Sequence, residues 1–235
     1  KRIVELVSQK KISVGIVGGG PSAAEIAANI WQLVDIHGVA MPKIQIFSGD
    51  HFMWRFPFKV RKMAGHSLTR RGIEILEHNN VKEMKAGQIT LESGERHGLD
   101  LIFVALGVKP SPIFKNSGLP IGPDGGMEVN KYLQSTAHPE IFGGGDCIYF
   151  KERPLDKVGV YAVRENPILF HNLMASLEGA ELKPFDPGGN YLLIFNMGGG
   201  TGILHKSGFT LGGRLAFIIK DYIDRRFMKK FQAIE

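Results

Sequence analysis

The run Gly18-Gly19-Gly20-Pro21-Ser22-Ala23 stands between a β-rich stretch, Ile12 to Val17, and an alanine-rich stretch reaching about Val34. It fits the pattern G-x-G-x-x-A, and Lys43-Ile44-Gln45-Ile46-Phe47 then alternates polar and apolar residues as a second strand does. Strand, tight turn, helix and strand at this spacing predict a right-handed βαβ unit and with it a parallel α/β sheet. Each position in the turn has a physical reason. Gly18 permits the sharp bend, Gly20 lets a pyrophosphate approach the backbone, and Ala23 lets the helix pack closely on the strand. The helix N-terminus then offers N–H groups and partial positive charge to phosphate. Gly18, Gly19, Gly20, Pro21, Ser22 and Ala23 are therefore candidate cofactor-binding residues. The plainer alternative is a glycine-rich turn without a ligand.

Choice between NAD and NADP falls at the end of the second strand, where an acidic side chain would hold ribose hydroxyls. Ser48 occupies that place, with Asp50 two residues on. Arg55, Lys59, Arg61 and Lys62 follow, and either receive a 2′-phosphate or form a solvated helix face, so cofactor preference stays open. Glu25, early in the predicted helix, complements the helix dipole on its plainest reading.

The remaining pattern predicts a helix over about Val60 to Arg71, a third strand at Ile73 to Leu76, and a β-meander from Val81 to about His97 with turns at Ala86-Gly87 and Ser93-Gly94. An apolar strand, Leu101 to Ala105, follows. Pro110, Pro112, Pro120 and Pro123 mark a connection and a domain boundary. Further on come Gly143-Gly144-Gly145-Asp146, a helix from about Tyr161 to Leu177, a strand region near Tyr191 to Phe195, and a closing amphipathic helix from about Arg214. The expected organisation is a linker over 1–11, a Rossmann-like nucleotide-binding domain over 12–109, a connecting segment and second domain part over 110–186, and a small α+β tail over 187–235.

Composition narrows the function classes. A net charge of +6 raises nucleic-acid binding, but no zinc-finger, RNA-recognition or helix-turn-helix pattern accompanies it, so a basic surface without such a partner is expected. One cysteine, Cys147, allows no intrachain disulfide and no dithiol pair, as in a reducing, cytoplasmic setting, and reads as a small packed residue. No apolar run nears the ~20 residues that span a bilayer. The chain opens on Lys1, as an excised segment would.

Three segments together carry a family resemblance. Val17 through Glu25 resembles the nicotinamide-domain signature of the two-dinucleotide-binding flavoproteins, the pyridine nucleotide-disulfide oxidoreductase superfamily. Asp100-Leu101-Ile102-Phe103-Val104-Ala105-Leu106-Gly107-Val108-Lys109-Pro110 resembles the strand and turn that close that domain. Thr136 through Cys147 resembles the T-x₄-I-F-A-x-G-D motif. The tail, Val158 to Arg164 and Arg214 to Met228, is similar to type II NADH dehydrogenase-like proteins of the kind fused to selenide, water dikinase, which also tend to carry Ser where Ser48 stands.

The resemblance implies an FAD-dependent NAD(P)H dehydrogenase that passes hydride from nicotinamide to flavin and on to a quinone-like or other small acceptor. It implies that 110–186 holds the C-terminal part of a split FAD domain, whose first Gly-rich loop would lie before residue 1. Gly145 and Asp146 would bind the flavin ribityl chain, backbone at Val160 and Tyr161 would face the isoalloxazine, Gly107 would close the nicotinamide domain, and Glu25 would be the catalytic neighbour of nicotinamide and flavin. Glu165 departs from the Gln expected there and, with Ser48, keeps a non-catalytic dinucleotide sensor as the alternative.

His51, His66, His78, His97, His138, His171 and His205 lack a ligand-spaced companion, so structural or solvent roles are expected. The closing helix carries Leu215, Ile218, Ile219, Tyr222, Ile223 and Phe227 among basic residues. Peripheral membrane contact through 214–231, packing on the domain, and a homodimer face all fit that stripe.

Overall fold

The computed structural model describes residues 2–232, with side chains as far as Lys229. Lys1, residues 233–235 and the side chains at 230 and 231 of the expected membrane-contact stretch lie outside the described residues. The chain divides into two compact units, Lys1–Gly107 with Leu192–Glu235, and Val108–Tyr191.

The first unit opens with α1 (Arg2–Gln9) and β1 (Ser13–Val17), followed by α2 (Pro21–Ile36), β2 (Lys43–Phe47), α3 (Phe58–Thr69) and β3 (Glu74–Leu76). The segment expected as a linker over 1–11 is corrected by α1. Ile3, Leu6 and Val7 recur at helical spacing and pack on the core, with Val7 buried, so the segment gains from ordering. The meander follows as β4 (Val81–Lys85), β5 (Gln88–Leu91) and β6 (Arg96–Gly98), and then comes β7 (Leu101–Val104).

The strands align in parallel in the order β3-β2-β1-β7. Alternation along them sorts side chains into two cores. Val14, Ile16, Ile44 and Ile46 join the helices on one face, while Val17 and Phe47 join Ile89, Leu91 and Leu99 of the meander side on the other. The result is the expected three-layer Rossmann-like α/β arrangement of helices, parallel sheet and meander. Asp100 ties β7 to the start of β1. Its carboxylate accepts the Ser13 N–H at 2.8 Å and pairs with Lys10 at 2.6 Å, contacts that hold its carboxyl below the usual range.

The second unit contains α4 (Ile113–Asn116), β8 (Met127–Val129), a 3₁₀ turn at Gly145–Cys147, β9 (Ile148–Phe150) and α5 (Gly159–Glu178). β8 and β9 pair in parallel around a core of Met127, Val129, Leu133, Ile148, Phe150 and Phe185.

The chain ends in β10 (Leu193–Asn196), β11 (Gly202–Lys206), β12 (Phe209–Gly213) and α6 (Arg214–Gln232). The three strands form an antiparallel sheet. This tail does not stand apart as a region over 187–235. Phe195, Met197 and Ile203 enter the same core as Ala27 and Ala28, and Arg71 donates to the Met197 and Gly198 carbonyls while stacking on Trp31. Among the described residues no helix is long and apolar enough to cross a membrane.

Candidate functional site

The glycine turn sits at the carboxyl end of β1, between β2 and β7. The Gly18 N–H donates to the Phe47 carbonyl at 2.9 Å, and the Ala105 N–H donates to the Val17 carbonyl at 2.7 Å. Gly18 has φ +129°, and a Cβ there would meet the Ala105 carbonyl carbon at 2.7 Å. A side chain is excluded by both backbone angle and space. Gly19 presents its carbonyl to the Met53 N–H at 2.6 Å, and Gly20 is the extended residue before α2. Pro21 begins the helix, which has no side-chain cap, so the amides of its first turn point outward for an acceptor from elsewhere. Ala23 and Ala24 are fully buried, bringing the helix close to the sheet, while Ser22 is exposed. Gly107, with φ +87°, turns the chain two residues after Ala105.

Ser48 lies against Gly19 and is 2% exposed. Its hydroxyl donates to the Asp50 carbonyl at 2.6 Å, closing a bend. Arg55 packs over Trp54, and Arg61 lies near Glu77, with its Nε buried and without a hydrogen-bond partner. Glu77 accepts the Phe52 N–H at 2.6 Å and faces His51 at 3.1 Å, contacts that bring its carboxyl below the usual range despite partial desolvation. His51, Glu77 and His78 meet here. A search for ligand spacing along the chain misses this group, because the parallel pairing of β2 with β3 brings it together.

Glu25 is half-buried on α2. Burial raises its carboxyl above the usual range, opposed by the Asn196 N–H, which donates to Oε1 at 2.7 Å, and by Lys220, while Asp224 adds to the rise. The side chain thus anchors β10 to α2, a role that nothing local in the sequence signals.

In the second unit, Gly145 and Asp146 form the 3₁₀ turn before β9, and Gly145 has φ +72°. Together with Tyr161, Asp156, Lys157 and Glu165 they line one recess. Val160 lies in the first turn of α5, whose N-terminus also has no side-chain cap. Tyr161 packs edge to face on Tyr191 at 5.5 Å. The Tyr191 hydroxyl donates to Asp156 at 2.9 Å, and burial together with that carboxylate pushes it up to about 12. Glu165 is 2% exposed and accepts the Gly145 N–H. Burial raises its carboxyl, Gly145 and Lys157 work against the rise, and Asp146 adds to it. The residue that departs from the expected Gln therefore holds the backbone beside Asp146. Cys147 is half-buried, and its thiol donates to the Gly144 carbonyl at 3.0 Å.

On α6, Leu215, Ile218, Tyr222, Ile223 and Phe227 of the expected stripe are exposed, Ile219 is half-buried, and Ala216 is buried.

These features place the first unit among the parallel α/β domains, a class whose ligand sites lie at the carboxyl ends of the strands. The pyridine nucleotide-disulphide oxidoreductase family matches residues 3–172, and the chain belongs to it. Ferroptosis suppressor protein 1 of Taeniopygia guttata is 25% identical over 230 residues, covering 90% of this chain and 58% of its own length. Demethylphylloquinone reductase NdbB of Synechocystis sp. is 26% identical over 226 residues, covering 92% and 54%. The chain thus spans about half the length of the curated relatives it matches. A NAD-dependent persulfide reductase from A. fulgidus shares the fold, with a TM-score of 0.67 at 17% identity over 87% of this chain and 37% of that one.

Proposed function

We propose that this chain supplies the nicotinamide-nucleotide site and part of the flavin site of an FAD-dependent NAD(P)H dehydrogenase that reduces a quinone-like or other small acceptor. The observation that carries the reading is the uncapped N-terminus of α2 beneath the Gly18-Gly20 turn, where backbone can approach a pyrophosphate. Family membership and a relative named for demethylphylloquinone support the reaction class.

The residues present fit both cofactors. Gly18, Gly19, Gly20, Pro21, Ser22 and Ala23 would cradle the nicotinamide nucleotide, with Ser48 on its adenosine side and Gly107 at the closing turn. Gly145, Asp146, Val160 and Tyr161 would hold FAD, the fit there being a half-buried carboxylate beside an uncapped helix start. When bound, the two cofactors supply the hydride chemistry themselves. The chain's own work is to position and to exclude water. Glu25 is the catalytic candidate, its carboxyl held toward neutrality by burial at the nicotinamide end of α2.

The exposed part of the α6 stripe supports peripheral membrane contact through 214–231 on the cytoplasmic side, which would give access to a quinone. A homodimer face is the competing use of the same stripe.

Calorimetric titration with NADH and NADPH tests the site and decides between the two nucleotides. Heat with one or both is expected, and silence with both would overturn the proposal. In the whole protein, a bound yellow flavin should bleach on adding the nucleotide. Binding without bleaching would instead mark a regulatory sensor.

A further inference from the structure

β2 and β3 run parallel with Phe47 opposite Leu76, so the segments that follow them leave the sheet at the same edge. Backbone hydrogen bonds lace these segments together. The Ser48 N–H donates to the Leu76 carbonyl at 2.9 Å, and the Asn79 N–H donates to the Ser48 carbonyl at 2.8 Å. His51 comes from one segment, Glu77 and His78 from the other. His51 Nδ1 lies 3.1 Å from Glu77 Oε2, the two imidazoles meet edge to face with centroids 4.5 Å apart, and one ligating atom from each side chain lies within 4.8 Å of the other two.

We propose that His51, Glu77 and His78 form a binding site for a divalent transition-metal ion of the zinc type, with water completing its coordination. Two imidazole nitrogens and one carboxylate oxygen suit zinc, cobalt or nickel, and supply too few oxygens for calcium or magnesium. Bonds of about 2.0–2.2 Å would place the ligand atoms of a tetrahedral ion about 3.3–3.5 Å apart. The ligand atoms lie within 4.8 Å of one another, and the rings that would turn to close that spacing, His51 and His78, are exposed. Glu77 is already oriented, because the Phe52 N–H holds Oε1 at 2.6 Å while Oε2 faces His51. The Asp50 carboxylate accepts the His51 backbone N–H at 2.7 Å and is thereby engaged with the main chain. His78 has φ +56°, a left-handed backbone that histidine adopts more readily than most residues, and its ring meets that of His51. Arg61 near Glu77 opposes a cation and keeps the affinity modest.

The site does not depend on the nucleotide reading. Its structural consequence is to brace the segment whose Met53 N–H holds the Gly19 carbonyl.

The test uses the purified chain without a histidine tag, titrated with Co²⁺ and then Zn²⁺. A visible ligand-field band of four-coordinate cobalt is expected to saturate near one equivalent and to vanish as Zn²⁺ displaces it. Three variants keep the fold in view. His78→Asn retains a residue that tolerates the left-handed backbone, Glu77→Gln retains an acceptor for the Phe52 N–H, and His51→Ala removes an exposed ring. Each should weaken Zn²⁺ binding by about tenfold or more, while the far-UV circular dichroism of each metal-free variant matches that of the parent and shows the fold is kept. Absence of the cobalt band overturns the proposal. So does a band that survives in the His51→Ala/His78→Asn double variant, since that would be an adventitious surface ion.

Discussion

Gly18 is the residue with the least freedom to vary, since its positive φ and the Ala105 carbonyl both exclude a Cβ. Gly18→Ala should cost about 1–3 kcal/mol in urea unfolding and abolish the calorimetric heat of nucleotide binding; a variant that binds normally would show that the bend at Gly18 is not needed for the site. Glu165 is a different case, because its carboxyl is raised by burial. Its contribution to stability is fully present below the usual carboxylate range and is lost as pH rises through the raised value. Glu165→Gln keeps an acceptor for the Gly145 N–H and does not ionise. The variant should therefore gain on the parent protein in unfolding free energy as pH is raised from about 4 to 8. A flat difference across that range would contradict it. Glu165→Ala leaves the Gly145 amide unpaired and should cost about 1–3 kcal/mol near pH 4, a cost that shrinks as pH rises and the buried carboxyl of the parent ionises. The Gly18 requirement is legible in the strand-turn-helix pattern. The partner of Glu165 is not, because it lies 20 positions away and only packing of α5 brings it near.

Among the elements, the central strands and helices lie within a few residues of their predicted places, since β1, α2 and β2 carry clear periodicity. The β11–β12 hairpin went unforeseen. Its turn, Ser207-Gly208, has both residues at positive φ, but the strands are short and rich in glycine and carry little alternation. What holds the neighbouring turn is Arg71, whose guanidinium reaches two carbonyls and the Trp31 ring. Arg71→Lys keeps the charge but cannot bridge both carbonyls, and should cost about 1–2 kcal/mol in urea unfolding. For α6, Ile218 and Tyr222 are 60% and 64% exposed, so Ile218→Asp with Tyr222→Ser should leave thermal melting unchanged. If the stripe meets a membrane, co-sedimentation with anionic vesicles falls in that variant and in a chain ending at Gly213. Equal sedimentation of all three would remove membrane contact.

At the scale of the whole molecule, the residues assigned to the two cofactors fall on different units. Gly18 to Ala23, Glu25, Ser48 and Gly107 belong to the first, and Gly145, Asp146, Val160 and Tyr161 to the second. The tail belongs with the first unit although 84 residues of the second, 108–191, intervene in the chain. Glu25 is one of the links that hold it there, through the Asn196 N–H. Glu25→Gln preserves an oxygen acceptor and should leave melting nearly unchanged while slowing nucleotide-driven flavin bleaching in the whole protein. A variant with normal bleaching would confine Glu25 to its structural task.

The sequence by itself determined the parallel α/β class, the glycine turn between β1 and α2 and the family, because period-two and helical patterning and a glycine requirement are local properties that a linear string displays. Tertiary structure alone decided that α1 is an element of the core, that the tail closes over α2, that Glu165 holds the turn before β9, and that His51 meets Glu77 and His78. Those outcomes depend on which strands lie side by side and which faces find a partner, and burial of that kind is settled only when the whole chain packs.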